Sequence, residues 1–194
     1  MHRVLCLVVT IFALAVTPGT PAWAEPSPPA AAPRVDLTRY VGQWFEVARY
    51  PNRFQRNCSG DVVVAYTLRD DGRITVDNRC RRADGSVDRA LGLAKLATDE
   101  GSNAKLKVRF APEALSFLPF VWADYWVLEV ADDYSHAIVG TPDRKYLWLL
   151  ARAPTVPEDL YARLVASATA KGFDAARLQR TSNSGDRLEG TDPR

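Results

Sequence analysis

The side chains of this chain best suited to chemistry are two adjacent carboxylates, Asp132 and Asp133, and the neighbouring pair Ser135 and His136. Paired carboxylates can share general acid–base work, and a serine beside a histidine suggests nucleophilic catalysis. The spacing argues against both. Neighbours on a turn point apart, so Asp132 and Asp133 are expected to hydrogen-bond backbone. Adjacent residues do not act as nucleophile and base of a triad, and no carboxylate is evidently placed to orient the His136 ring. The other histidine, His2, lies at the extreme N-terminus, and the cysteines are Cys6, Cys58 and Cys80. One internal histidine and two internal cysteines do not assemble a convincing zinc site. The sequence nominates no catalytic residue, no metal and no cofactor, which turns attention to binding.

The ends of the chain say where it is sent. His2-Arg3 is a short basic start, Val4 to Val16 is uncharged and apolar, and Ala22-Trp23-Ala24 carries small residues around one large one. That pattern predicts a secretory signal peptide over 1–24. The apolar run is shorter than the roughly 20 residues that span a bilayer. Cys6 stands too early in it to be the lipidated residue of a lipoprotein signal. The expected location is periplasmic after export, with outer-membrane association as an option and no lipid anchor. Residues 25–34, rich in Pro and Ala, read as an extended linker, and residues 181–194 as a disordered tail. The domain then runs over 35–180, enough for one core. Its charges are interspersed, 25 basic against 23 acidic over the whole chain, so nucleic acid is not an expected partner.

The elements that must position a binding site are strands. Between Gly42 and Leu150, short runs of period-two alternation are separated by turn residues. The cleanest is Lys105-Leu106-Lys107-Val108-Arg109-Phe110, with one wet face and one dry face. Similar runs are 61–68, 73–79, 90–96, 123–130, 135–140 and 146–152, which with the first strand make eight. Short connections predict an antiparallel up-and-down β-barrel, a fold that closes its own edges. Thr155 as cap, Glu158 and Asp159 in the first turn, then Leu160, Leu164, Val165 and Ala168 predict one C-terminal helix on the barrel wall. Asp71-Gly72 marks a hairpin that brings Cys58 and Cys80 towards each other, and an exported protein is expected to pair them in a disulfide.

Three segments narrow the reading. Gly42-Gln43-Trp44-Phe45-Glu46, then Asp132-Asp133-Tyr134-Ser135-His136-Ala137, then Leu149-Leu150-Ala151-Arg152 resemble, in that order and separation, the motifs of the lipocalins. Arg49-Tyr50-Pro51-Asn52-Arg53-Phe54 and the turn Leu68 to Gly72 make the chain similar to the bacterial lipocalin branch, whose nearest animal relative is apolipoprotein D. The resemblance covers about Val35 to Leu178. It implies a calyx that carries a hydrophobic ligand, with Trp44 plugging the closed end under the Arg152 guanidinium. Gly42, Trp44, Asp132, Tyr134 and Arg152 are then structural. It also offers an alternative for the cysteines, a free thiol inside the barrel like that of the one lipocalin-type isomerase.

The calyx interior becomes the candidate site. Residues matching Tyr66, Asn78, Phe110, Trp148 and Leu150 line the pocket in apolipoprotein D-like chains, and alternation adds Val64, Val76, Ala94, Leu96 and Val108. Glu46 and Tyr50 share parity with Trp44 and are expected to point inward. An apolar lining with a few polar groups suits an amphiphile with its tail buried and its head near the mouth. The apolar loop 115–122 predicts either a surface folded onto its own barrel or a contact with a membrane or a second subunit. The leading expectation is a non-enzymatic binder and carrier of fatty acids, lysophospholipids or similar lipids in the bacterial cell envelope. A barrel filled by its own side chains and serving protein interaction is the second, and a lipid-modifying enzyme the third.

Overall fold

In the computed structural model the described residues are 27–97, 102–185 and 188. The expected signal peptide over 1–24 therefore lies outside them. A short helix α1, Leu37–Tyr40, is capped by Asp36, whose carboxylate accepts from the Thr38 N–H. Eight strands follow: β1 Gly42–Arg49, β2 Gly60–Leu68, β3 Ile74–Arg81, β4 Val87–Leu96, β5 Lys105–Arg109, β6 Ala123–Val130, β7 His136–Gly140 and β8 Leu147–Ala151. Each pairs antiparallel with the next, and β1 pairs with both β2 and β8, so the sheet closes. Closure leaves no long edge to aggregate. A two-residue strand β9, Gln179–Arg180, adds to the far end of β1 beside Ala48 and Arg49.

Two apolar clusters divide the molecule. One fills the barrel and includes Trp44, Val64, Tyr66, Val76, Ala94, Leu106, Val127, Val139 and Leu150. The other lies between the outside of the barrel and helix α2, Glu158–Ala170, and takes in Tyr50, Leu128, Ile138, Leu149, Leu164, Ala168 and Phe173. The helical stripe read from the sequence is this second contact. The helix starts two residues later than Thr155 suggests: Pro157 occupies the cap position, with Glu158 and Asp159 in the first turn, and no side chain caps the free N–H groups. Proline suits that place because it has no N–H to lose.

The segments on either side of the barrel are held rather than loose. Ala32 N–H donates to Val127 O, Ser102 Oγ donates to Ala32 O, and Pro29 and Ala32 are buried. Residues 27–34 thus lie along the barrel in place of a linker without contacts. At the other end, Thr181 N–H donates to Val47 O, and Asp61 N–H to Ser182 O. The Asp61 carboxylate accepts from the Ser184 N–H and hydroxyl and from Arg81 Nε. Residues 181–185, expected to be a disordered tail, fill the gap that opens where β1 leaves β2. Residues 186–187 and 189–194 lie outside the described ones.

Candidate functional site

The closed end is built first by the three motif segments. Trp44 stands fully buried, its Nε1 donating to Tyr40 O, and the Arg152 guanidinium lies 3.8 Å from the centre of its ring. The same guanidinium donates to the carbonyls of Arg39, Tyr40, Val41, Gln43 and Tyr134. A flat, permanently charged fork can stack and bond in this way, and an ammonium cannot. Gly42 is needed beside it: its φ is +95°, and a Cβ there would meet Arg152 Nη1 at 3.3 Å. Tyr134 also adopts a positive φ of 60°, and its hydroxyl accepts from the Asp36 N–H while Arg39 covers its ring. Asp133 accepts from the Ser135 N–H, and Arg39 donates to the carbonyl of Asp132, so this turn fastens backbone. Ser135 Oγ lies 2.9 Å from His136 Nδ1, closer than sequence adjacency suggests. The Asp133 carboxylate is committed to the turn.

Register fixes which residues face inward, because directly opposed residues share a face of the sheet. One inner row is Trp44, Val64, Asn78 and Ala90, and another is Tyr66, Val76 and Gly92. A third is Ile74, Ala94 and Val108, and a fourth is Leu96, Leu106 and Tyr125. Leu150 stands opposite Glu46, and Trp148 opposite Arg49. Phe110 follows Val108 at the mouth, 43% exposed; a Cβ on Gly92 would lie 2.7 Å from its ring. The structure thus brings Glu46, Val64, Tyr66, Val76, Asn78, Ala94, Leu96, Val108, Phe110, Trp148 and Leu150 to one interior.

Tyr50 is the exception. The pairing of β1 with β8 slips between Glu46 and Ala48, so Val47 is an extra residue and parity inverts beyond it. Tyr50 therefore points out of the barrel, packs on Phe173 and donates from its hydroxyl to Asp174 O. The same bulge turns Arg49 inward, where its guanidinium meets Glu46 Oε1 at 2.6 Å. Glu46 is only 2% exposed and accepts as well from Gln55 Nε2 and from the Thr181 hydroxyl. Gln55 in turn accepts from Trp148 Nε1 and Asn52 Nδ2. A satisfied polar cluster thus occupies the upper wall, near the loop 51–59. Its members Arg49 and Gln55 were missed by alternation, one because of a bulge and the other because it sits in a loop.

The two ends of the interior differ. At the mouth, Trp148 stacks on Tyr146, with ring centres 5.8 Å apart, and Tyr146 meets Phe54. The loop between β5 and β6 opens at this end, with Phe117 76% and Phe120 80% exposed, while Trp122 is folded back under Lys95 and Arg109. At the floor, α1 delivers Tyr40 to Tyr66 and Tyr125, and these with Ile74, Ala94, Leu106 and Val108 enclose a cavity of about 10 Å³. Tyr40 and Ile74 escaped the sequence reading. A signal existed for Ile74, which shares parity with Val76. Tyr40 lies before the first strand, where alternation says nothing.

Cys58 and Cys80 form a disulfide, with Cα atoms 5.5 Å apart, so the free-thiol alternative falls. Among the described residues no group of three or more His, Cys, Asp and Glu side chains converges as a metal site. Among the same residues no helix is long and apolar enough to cross a membrane.

Comparison with known proteins agrees with this geometry. Residues 35–183 match the family described as lipocalin-like domain. The chain is 40% identical over 151 residues to temperature-induced lipocalin-1 of Arabidopsis thaliana, covering 77% of this chain and 80% of that one. It is 38% identical over 161 residues to the outer membrane lipoprotein Blc of Escherichia coli K12, covering 81% and 86%. Apolipoprotein D of Rattus norvegicus is 32% identical over 162 residues, 79% of each chain. Among solved structures, insecticyanin of Manduca sexta superposes with a TM-score of 0.61 at 18% identity, covering 85% of this chain and 88% of that one, which shows the shared fold. With its closed eight-stranded barrel, its Trp44–Arg152 stack and these relatives, the chain belongs to the lipocalin family.

Proposed function

We propose that this protein captures an amphiphilic lipid, a fatty acid or lysophospholipid, in its calyx and stores or carries it in the bacterial cell envelope without chemical change. The observation that carries this reading is the division of the interior. Val64, Val76, Val108 and Leu150 line a hydrocarbon middle, and the Glu46–Arg49–Gln55–Trp148 cluster gives a polar upper wall. Such a cup takes a tail below and a head above. Each methylene buried contributes roughly 0.8 kcal/mol before the losses of binding, so a long acyl chain gives useful affinity. The exposed Phe117 and Phe120 beside the mouth suit contact with a membrane surface during loading or delivery.

The envelope setting draws on the printed name of the Blc relatives, outer membrane lipoprotein, and on the Cys58–Cys80 bond, which persists in an oxidising compartment. A second reading has its own observation: the floor cavity of about 10 Å³ holds no more than one water, so the lower barrel is packed by its own side chains. That favours a filled barrel that binds protein through its loops. Native mass spectrometry of the protein purified from its own envelope without detergent separates the two. A discrete added mass that dissociates as a fatty acid or phospholipid supports the carrier. A clean apo mass, unchanged after incubation with fatty acids and lysophospholipids, refutes it. The same spectrum reads the mature N-terminus and so tests whether a lipid anchor is attached.

A further inference from the structure

Three tyrosine hydroxyls meet at the calyx floor and bond to one another. Tyr40 Oη lies 2.9 Å from Tyr125 Oη, and Tyr66 Oη lies 2.7 Å from that same oxygen. Among the described residues no other group accepts from these hydroxyls. Three O–H protons therefore serve two hydrogen bonds, and one donor is left over. Tyr40 and Tyr66 are buried, where a donor without an acceptor is costly. All three rings line the floor cavity, whose other walls are the apolar Ile74, Ala94, Leu106 and Val108.

The electrostatics of the floor favour an oxygen acceptor. Burial pushes the pKa of all three phenols upward, so they stay neutral and able to donate. The Arg152 guanidinium sits below Trp44 and acts on Tyr40 and Tyr66 through its positive charge. No carboxylate stands among the cavity walls. A spare neutral donor, a cation behind it and hydrocarbon around it select a small atom with a lone pair.

We propose that the floor is a subsite for an oxygen at the far end of the hydrophobic ligand: a hydroxyl, carbonyl or epoxide on the chain terminus that enters first. This rests on the carrier reading above and names the ligand class more narrowly, a hydrophobe oxygenated at the end remote from its head group. The reach is adequate. Tyr66 lies six residues along β2 from Gly60 at the mouth. At about 3.3 Å per residue and a tilt near 40°, the floor is about 15 Å below the mouth, or roughly twelve methylenes. A water at the same spot does not weaken the selection, since an oxygen terminus reproduces its hydrogen bonds and a methyl terminus does not.

The test compares dodecanoic acid with ω-hydroxydodecanoic acid by calorimetry on the intact mature protein and on a Tyr40→Phe/Tyr66→Phe/Tyr125→Phe variant. Removing all three hydroxyls matters, because any single substitution leaves a spare donor. The rings keep their shape, and thermal unfolding checks that the variant folds. The native protein is expected to bind the ω-hydroxy acid about fivefold more tightly, the worth of one neutral hydrogen bond. The variant is expected to reverse the order, and the ratio of the two affinities, not either one alone, is the readout. Equal affinities in the native protein, or the same ratio in both proteins, overturn the floor subsite while leaving the carrier intact. Should the variant fail to fold, the ratio in the native protein decides alone. Binding of neither acid to the native protein overturns the carrier reading and the subsite with it.

Discussion

Replacing Arg152 with alanine should cost this barrel about 3 kcal/mol, a figure that follows from its contacts. Two contributions are lost together. The stack on Trp44 at 3.8 Å is partly desolvated, which places it at about 1–2 kcal/mol. The guanidinium also serves the carbonyls of Arg39, Tyr40, Val41, Gln43 and Tyr134. Bonds to a charged donor are worth about 1.5–3 kcal/mol each when their partners stay dry, and five at that rate would come to about 7.5–15 kcal/mol, as much as the whole stability of a typical domain. They cannot all count in full. Arg152 is half-buried, so water reaches most of these carbonyls once the side chain is gone. One dry carbonyl plus the stack, both near the low end of their ranges because the site is only half-buried, give about 3 kcal/mol, or a fall in Tm of about 6–12 °C for a chain of this size. Arg152→Lys keeps the charge but neither the fork nor the flat stack, so it should recover about 1 kcal/mol or less. Urea unfolding followed by tryptophan fluorescence and circular dichroism reads both variants. An Arg152→Ala loss below about 1 kcal/mol would refute the reasoning, and so would full recovery by lysine.

Three further outcomes follow from the same contacts. Tyr50→Phe removes the hydrogen bond to Asp174 O outside the barrel, so it should lower stability by about 1 kcal/mol and leave lipid affinity unchanged, and a weakened affinity would put Tyr50 back inside. Reduction of Cys58–Cys80, which closes a loop with a sequence separation of 22, should lower the urea midpoint by the equivalent of about 3 kcal/mol, and an unchanged midpoint would contradict the loop-entropy account. At Asp61, burial works to raise the carboxyl, but Arg81 and the Ser184 N–H and hydroxyl outweigh it and hold the pKa below the ordinary carboxylate value. A depressed folded value means stability present above the unfolded pKa, about 3.9, and lost as pH falls through the folded one. Residues 181–185 should therefore loosen on acidification below about pH 4, and an unchanged protection of the Ser184 amide against hydrogen exchange as pH falls through the folded value would refute it.

What could be read from the sequence was what depends on local period and on motif chemistry. Alternation in Lys105–Phe110 and its fellows located the strands, and short connections dictated an antiparallel closed sheet. The Gly42–Trp44, Asp132–Tyr134 and Arg152 segments pointed to the closed end, because few residue types satisfy a positive φ, a stacked indole and a forked cation. Alternation fails wherever the count of two is broken. The extra residue at Val47 sent Tyr50 to the helix and Arg49 to the interior, and nothing in the order of residues announces a bulge. Only tertiary structure decided that the segment after Arg180 fills the gap beside β2, since its anchors, Val47, Asp61 and Glu46, lie more than a hundred residues away. Only tertiary structure, too, brought Tyr40, Tyr66 and Tyr125 to one point. Hydrogen bonds between residues so distant in the chain are set by barrel closure, and the character of the calyx floor is a consequence of closure rather than of any local pattern.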